Sequence, residues 1–245
     1  MRVISGNLKG KKLYSVLGKT VRPTSDRLRE TIFNILAFHV KQAIVLDMFS
    51  GTGALGIEAL SRGAESAVFI DIHNKALSVI KRNIKACKLE NKTKVIKWDI
   101  IKNLNCIKSD KLVKSQKKPF PSFRSRIKCG INCSRARSEA LALSSKFNKF
   151  WMPDQVRHDV FGTFYDAIKS DRAAFNLIFI DPPYNKSFLQ PTLHNLRKAG
   201  RIKKGACLIV EHSLLEPIPL DFPEYELQDQ RKYGETLVSF LSYIV

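Results

Sequence analysis

The stretch Ile44-Val-Leu-Asp-Met-Phe-Ser-Gly-Thr-Gly-Ala-Leu-Gly-Ile57 decides how this chain is read. Its apolar opening, Ile44 to Leu46, has the character of a buried strand, the glycines that follow make a tight turn, and Leu55, Ile57 and Leu60 carry the chain into a helix. Gly51, Gly53 and Gly56 form G-x-G-x-x-G, a spacing that lets backbone approach a ligand and leaves N–H groups free at a helix start. Asp47 stands at the strand's end, where a dinucleotide fingerprint usually has apolar residues. Asp71 closes a second apolar run, Ala67 to Ile70, at the distance where a carboxylate takes ribose hydroxyls. Strand, acid, glycine turn, helix, strand and acid together describe a nucleoside-cofactor site, with S-adenosylmethionine favoured over NAD.

Working outward, Ala54 to Arg62 is expected as the first crossover helix, ended by Gly63. A second helix is expected from Asn74 to Leu89, with Leu77, Ile80 and Ile84 on one face, and a third strand from Val95 to Trp98. Asp99 ends that strand, where it can receive an adenine amino group or cap the next turn. Upstream, residues 1–21 alternate around Gly6, Gly10 and Gly18, as short strands or a hairpin do, and Lys9, Lys11, Lys12 and Lys19 make this arm basic. Arg22-Pro-Thr-Ser-Asp-Arg-Leu-Arg-Glu opens a helix, with Thr24, Ser25 or Asp26 as cap. Arg22, Arg27 and Arg29 then sit where positive charge opposes the helix dipole, which points to a phosphate partner or to salt bridges with Asp26 and Glu30. Alternating strands and helices imply a mostly parallel sheet covered on both faces, with ligands beyond the carboxyl ends of its strands.

The chain has 245 residues, with 42 Lys and Arg against 22 Asp and Glu and a formal charge of +20. That charge favours a polyanionic partner, nucleic acid first. The N-terminus has no apolar signal core and no apolar run reaches membrane length, so a cytoplasmic protein is expected. Five cysteines at irregular spacing are no disulfide framework. Residues 108–160 lose all periodicity and hold thirteen basic against four acidic residues. They read as a basic, disordered insertion, and Phe150 to Val160 resembles translated repeat elements of some bacterial genomes. Cys129 and Cys133 lie there without a second pair, so no metal site is expected.

After the insertion, Leu177 to Ile180 reads as a buried strand running into Asp181-Pro-Pro-Tyr184. Pro182 and Pro183 stiffen the turn and keep Asp181 extended. Such a loop suits a planar base: Asp181 and the Pro182 carbonyl can accept from an exocyclic amine while Tyr184 stacks on the ring. Phe188 to Leu196 follows as a helix, Cys207 to Glu211 as a strand, and Tyr225 to Lys232 as an antiparallel edge paired with a final strand, Thr236 to Tyr243. His212 is a conceivable base, though a histidine just after a strand more often serves the structure.

Asp47-x-Phe-Ser-Gly-Thr-Gly with Asp181-Pro-Pro-Tyr184 resembles the seven-stranded, Rossmann-like methyltransferases that modify exocyclic amines. Arg22-Pro-Thr-x-Asp-Arg-x-Arg, Phe33-Asn-Ile-Leu, Gly56-x-Glu-Ala-Leu-Ser-Arg-Gly63 and Arg231-x-Tyr-Gly-x-Thr236 narrow the resemblance to the RsmD family, which methylates a guanine N2 in bacterial 16S ribosomal RNA. The resemblance covers the chain outside roughly 108–160, and departs from the family in that segment and at Asp71, where Glu is frequent. It implies S-adenosylmethionine held by Asp47, Phe49, Ser50, Gly51, Thr52, Gly53, Asp71 and Asp99. It implies catalysis by Asp181, Pro182, Pro183 and Tyr184, and RNA contacts from Arg22, Thr24, Arg27, Arg29, Arg231 and Tyr233. The implied partner is 16S ribosomal RNA or an assembling small subunit, met by a monomer without metal or membrane. The implied organisation is an arm and helix (1–37), a cofactor half (38–107), the insertion (108–160) and a catalytic half (161–245). An N6-adenine or other amino-methyltransferase, an NAD-dependent oxidoreductase and a non-catalytic RNA-binding protein stand as alternatives.

Overall fold

Ser25 caps the first helix by accepting from the Leu28 N–H (3.1 Å), and α1 (Asp26–Ile35) then buries Leu28, Ile32 and Phe33. This computed structural model describes residues 1–16, 25–107, 174–219 and 222–245. The proposed insertion 108–160 lies outside the described residues.

The glycine stretch folds as anticipated: β1 (Ile44–Met48) turns through Gly51 and Gly53 into α2 (Ala54–Ser61). Then come β2 (Ser66–Asp71), α3 (Asn74–Cys87) and β3 (Thr93–Lys97). Beyond the undescribed span are β4 (Phe175–Ile180), α4 (Leu189–Ala199), β5 (Ile202–Ser213), β6 (Tyr225–Tyr233) and β7 (Thr236–Tyr243). They form a seven-stranded sheet in the order β3-β2-β1-β4-β5-β7-β6. The strands from β3 to β5 are parallel, whereas β7 runs antiparallel to both its neighbours and places β6 at the edge.

Apolar strands at the centre, with Val45, Leu46, Leu177 and Ile178 fully buried, need cover on both faces. One face receives α1, α2 and α3, the other α4 and the turn around Leu104 to Ile107. The first sixteen residues belong to the former core through Val3 and Leu13; burying each contributes about 1.5–3 kcal/mol. Their hairpin, bridged between Arg2 and Lys12, passes so close to α2 that a Cβ on Gly6 would stand 1.9 Å from the Ser61 carbonyl oxygen. Buried Glu58 receives the Ile4 and Ser5 N–H groups at 2.7 and 3.0 Å.

Two elements are longer than their apolar runs. β5 begins at Ile202 because Lys203, Lys204 and Gly205 continue the strand as an exposed, bulged extension. α4 continues to Ala199, where Gly200 takes a left-handed φ of 64° and ends it.

Candidate active site

Met48 pairs with Ile70 on one side and with Ile180 on the other, so Phe49, Asp71 and Asp181 reach the rim of the sheet at one level. Val210 pairs with Ile180, which adds Glu211 to the same rim. Strand order reverses between β1 and β4, the switch point where open α/β sheets hold their ligands. The glycine loop and the Asp-Pro-Pro-Tyr loop therefore leave neighbouring strands side by side.

Asp47 is almost completely buried, and its Oδ2 accepts the Gly56 N–H at 3.0 Å. Burial pushes its carboxyl up to about 8; the Gly56 N–H pulls it down by less, and the charge of Asp71 adds to the rise. A cation set against that carboxyl would draw it back to the ionised form, and the ammonium of an amino-acid moiety has the charge to do so. Gly56 serves packing: a Cβ there would lie 2.4 Å from the Phe69 ring and 3.0 Å from the Asp47 carboxylate. Asp71 accepts the Gly51 N–H at 2.9 Å through one oxygen and the His73 N–H at 2.8 Å through the other. Each oxygen retains acceptor capacity for a hydroxyl.

The Ser50 hydroxyl donates to the Asp47 carbonyl at 2.6 Å and accepts the Ile70 N–H at 3.0 Å, pinning β1 to β2. Its side chain is thus occupied within the fold. Gly53 caps α2 with φ 75°, and the Thr52 carbonyl accepts from Asn83 at 2.9 Å. Phe49, at φ 58°, lays its ring parallel to Phe188 with centroids 6.4 Å apart, tying the glycine loop to the start of α4. Beyond β2 and β3, Ile72, Lys97, Trp98, Asp99, Lys102 and Asn103 line a cleft of about 360 Å³. Asp99 there accepts the Ile101 N–H at 3.2 Å and faces Lys102 at 3.6 Å, so it caps a turn at the edge of a cleft with an apolar wall and polar rim. These features fit a nucleoside cofactor with an amino-acid tail.

In the second loop Asp181 is half-buried, Pro182 buried and Pro183 exposed. The Tyr184 hydroxyl donates to Glu211 Oε1 at 2.7 Å and lies 3.3 Å from the Thr236 hydroxyl. Burial, then the Glu211 charge, raises the phenol above its ordinary range, so Tyr184 stays protonated. Asn185 and Ser187 follow with φ of 57° and 54°, a left-handed backbone that Asn adopts readily and that costs roughly 1–2 kcal/mol at Ser187.

Of the arginines expected at the RNA, Arg29 is not available to it. Arg29 is fully buried, donating to the Asp26 carboxylate at 2.6 Å and the Arg2 carbonyl at 2.9 Å, so it holds the arm on α1 and cannot reach a phosphate. Arg27 is exposed, and Arg22 and Thr24 lie outside the described residues. Arg231 is half-exposed and paired with Asp229 at 2.9 Å; Tyr233 ends the same strand before the turn at Gly234. His212 is structural: buried between the Glu216 carbonyl (2.8 Å) and the Ser239 hydroxyl (2.9 Å), with burial lowering its pKa. Among the described residues no His, Cys, Asp and Glu cluster is placed to hold a metal, and no helix is long and apolar enough to cross a membrane.

Two residues that the sequence pattern did not single out support this site. Glu211 orients Tyr184, and its trace in the sequence is an acid directly after the apolar run Leu208 to Val210. Asn83, fully buried, accepts the Tyr14 N–H at 2.7 Å and donates to the Tyr14 and Thr52 carbonyls at 3.0 and 2.9 Å. Its trace is a polar side chain on the stripe of Ile80 and Ile84.

A mostly parallel seven-stranded sheet with these two loops at its switch point defines the Rossmann-like methyltransferase fold. The chain belongs to the family described as Conserved hypothetical protein 95, whose model matches residues 1–114 and 136–242; this is the RsmD family to which the motifs pointed. Between its two matched stretches the family model leaves out 115–135, a narrower span than the expected insertion 108–160, of which 108–114 and 136–160 are matched. The ribosomal RNA small subunit methyltransferase D of Escherichia coli is 25% identical over 235 residues, covering 96% of this chain and 86% of that one. YlbH of Bacillus subtilis, provisionally named an rRNA methyltransferase, is 44% identical over 99 residues. That match takes in 40% of this chain and about half (54%) of YlbH. The solved structure of yhhF from Escherichia coli superposes with a TM-score of 0.64 at 23% identity, covering 100% of this chain and 98% of that one, a likeness of fold.

Proposed function

We propose that the protein methylates the exocyclic N2 amine of a guanine in 16S ribosomal RNA, with S-adenosylmethionine as donor. The observation that carries this reading is the level register of β1 and β4, which sets the Asp47–Asp71 cofactor loop beside Asp181-Pro-Pro-Tyr184. The name of the Escherichia coli relative supports the choice of RNA.

S-adenosylmethionine supplies a methyl group already activated on a sulfonium, so the protein's own part is alignment and exclusion of water. Asp47 would hold the ammonium and lose its proton as it does so. Asp71 would take the ribose hydroxyls, with Asp99 at the adenine edge. Guanine N2 is a weak nucleophile because its lone pair is delocalised into the ring. Hydrogen bonds from N2 to the Asp181 carboxylate and the Pro182 carbonyl would turn that lone pair out of conjugation, while Tyr184, fixed by Glu211 and Thr236, supports the base. The N2 proton lost on transfer passes to Asp181 or to water.

The test is incubation with 16S RNA and methyl-labelled S-adenosylmethionine, followed by nucleoside analysis. N2-methylguanosine is expected. N6-methyladenosine or a methylated cytidine would transfer the reading to another amine. RNA binding without incorporation would leave a non-catalytic binder, and calorimetric binding of NADH in place of S-adenosylmethionine would restore the oxidoreductase.

A further inference from the structure

The described residues distribute their charge very unevenly. Residues 1–16 and 74–88 contain nine Lys and Arg and no Asp or Glu. All the other described segments together hold sixteen basic and fifteen acidic residues, which nearly cancel. The two basic segments are distant in sequence but joined in the fold. Asn83 of α3 clasps both backbone groups of Tyr14, the Arg82 guanidinium lies 3.6 Å from the centre of the Tyr14 ring, and the charge of Lys11 is felt by the Cys87 thiol.

From this arrangement we infer that the exposed face of α3, together with the N-terminal arm, is the surface that carries the phosphate backbone of the RNA. The inference rests on the proposed function for the identity of the nucleic acid. Lys75, Lys81, Arg82, Lys85 and Lys88 are all exposed, and among the described residues none of them forms an ion pair. Lys81, Lys85 and Lys88 recur at i, i+4 and i+7, one stripe of the helix. Lys9, Lys11 and Lys12 lie exposed on the arm docked beside it. The helix begins three residues after Asp71 and runs back from the rim for about 21 Å, so the stripe, which starts at Lys81 midway along it, leads away from the cofactor site along the flank. Like charges gathered without counter-charges oppose one another in the free protein, and a polyanion relieves that opposition. Tyr14, 42% exposed with its backbone locked and Arg82 stacked on its ring, adds a rigid aromatic inside the basic field, a combination suited to nucleic acid.

The experiment compares wild type with the triple variant Lys81→Ala, Lys85→Ala, Lys88→Ala and with the control Lys203→Ala, Lys204→Ala. The control residues are exposed on the bulged start of β5, three strands away from β2 in the sheet. Binding to transcribed 16S RNA is titrated from 50 to 300 mM salt, and S-adenosylmethionine binding is measured by calorimetry as the check on folding. Losing three phosphate contacts should lower the slope of log K against log salt by about 2–3. Affinity at the lowest salt should fall at least tenfold, with the curves converging as salt rises and cofactor affinity unchanged. The control should keep the wild-type slope. An unaltered slope in the triple variant, or an equal loss in the control, overturns the assignment of this surface. Wild-type protein that binds the transcript but methylates nothing overturns the proposed function and leaves the slopes to decide the surface.

Discussion

Asp47→Asn removes the acid that burial holds near neutrality. The carboxyl ionises near 3.8 in the unfolded chain and near 8 in the folded one, where burial is the main cause. Over that interval the folded protein keeps a proton that the unfolded chain has released. The stabilisation is therefore complete below the unfolded value and is lost as pH rises toward the folded one, at about 1.4 kcal/mol per pH unit. Across the whole window it amounts to something on the order of 5 kcal/mol. For a chain of this size, the interval from pH 5.5 to 7.5 corresponds to roughly 5–10 °C in Tm. Asparagine keeps an oxygen for the Gly56 N–H, now 3.0 Å from Asp47, and cannot ionise. Thermal denaturation of both proteins across this range should give a Tm difference, variant minus wild type, that climbs by that amount, other groups cancelling. Saturation with S-adenosylhomocysteine, which carries the same ammonium, should flatten the wild-type curve. Its binding near pH 7 should release close to one proton, read by calorimetry in buffers of different ionisation enthalpy. Parallel Tm curves would refute the reasoning.

Asp181→Ala should lower methyl transfer by about two orders of magnitude or more while leaving S-adenosylmethionine affinity nearly intact; Asp71→Ala should do the reverse, weakening the cofactor and sparing RNA affinity. Gly56→Ala drives a methyl group into the buried Phe69 ring and the Asp47 carboxylate, so a loss of about 1–3 kcal/mol on denaturation is expected together with weakened cofactor binding. Tyr184→Phe keeps the ring but loses the 2.7 Å bond to Glu211; turnover should fall by less than in Tyr184→Ala, and equal losses would show that the hydroxyl is the whole contribution. Deleting residues 108–160 and bridging the ends with a short Gly-Ser segment should preserve folding and methyl transfer, because long surface insertions cost only about 0.6 kcal/mol per doubling in closure entropy; a deletion protein that does not fold would place the segment in the core.

The glycine loop, Asp47, Asp71 and the Asp-Pro-Pro-Tyr turn were legible because local rules determine them. An apolar run ending in an acid, glycines at fixed spacing and paired prolines each dictate backbone geometry within a few residues. What escaped depends on partners far away in the chain. Arg29 near a helix start looks the same whether it faces solvent or folds beneath the arm, and the Arg2 carbonyl it reaches is 27 positions upstream. Glu211 and Asn83 break apolar stripes, but Tyr184 and Tyr14 lie 27 and 69 positions from them. The start of β5 was invisible because Lys203 to Gly205 are exposed and lie in the irregular stretch between the Phe175–Ile202 and Leu177–Cys207 pairs. Ser50 belonged to a recognisable motif, yet its side chain serves the joint between β1 and β2.

The pairing of β1 with β4 also has a consequence for the birth of the protein. Val45 pairs with Leu177, and the Ile44 N–H donates to the Asn176 side chain at a separation of 132 positions. On a translating ribosome adding about 5–20 residues per second, β1 emerges roughly 7–26 s before its second partner exists. Through that interval the nascent chain can close β1 onto β2, and lay the arm and α3 in place, while one edge of its most apolar strand stays bare. Such edges are templates for association with other chains. Every residue lying between β3 and β4, those of 108–160 included, lengthens the exposure, so the yield of active protein is set by synthesis rate and chaperone supply as well as by the stability of the finished sheet.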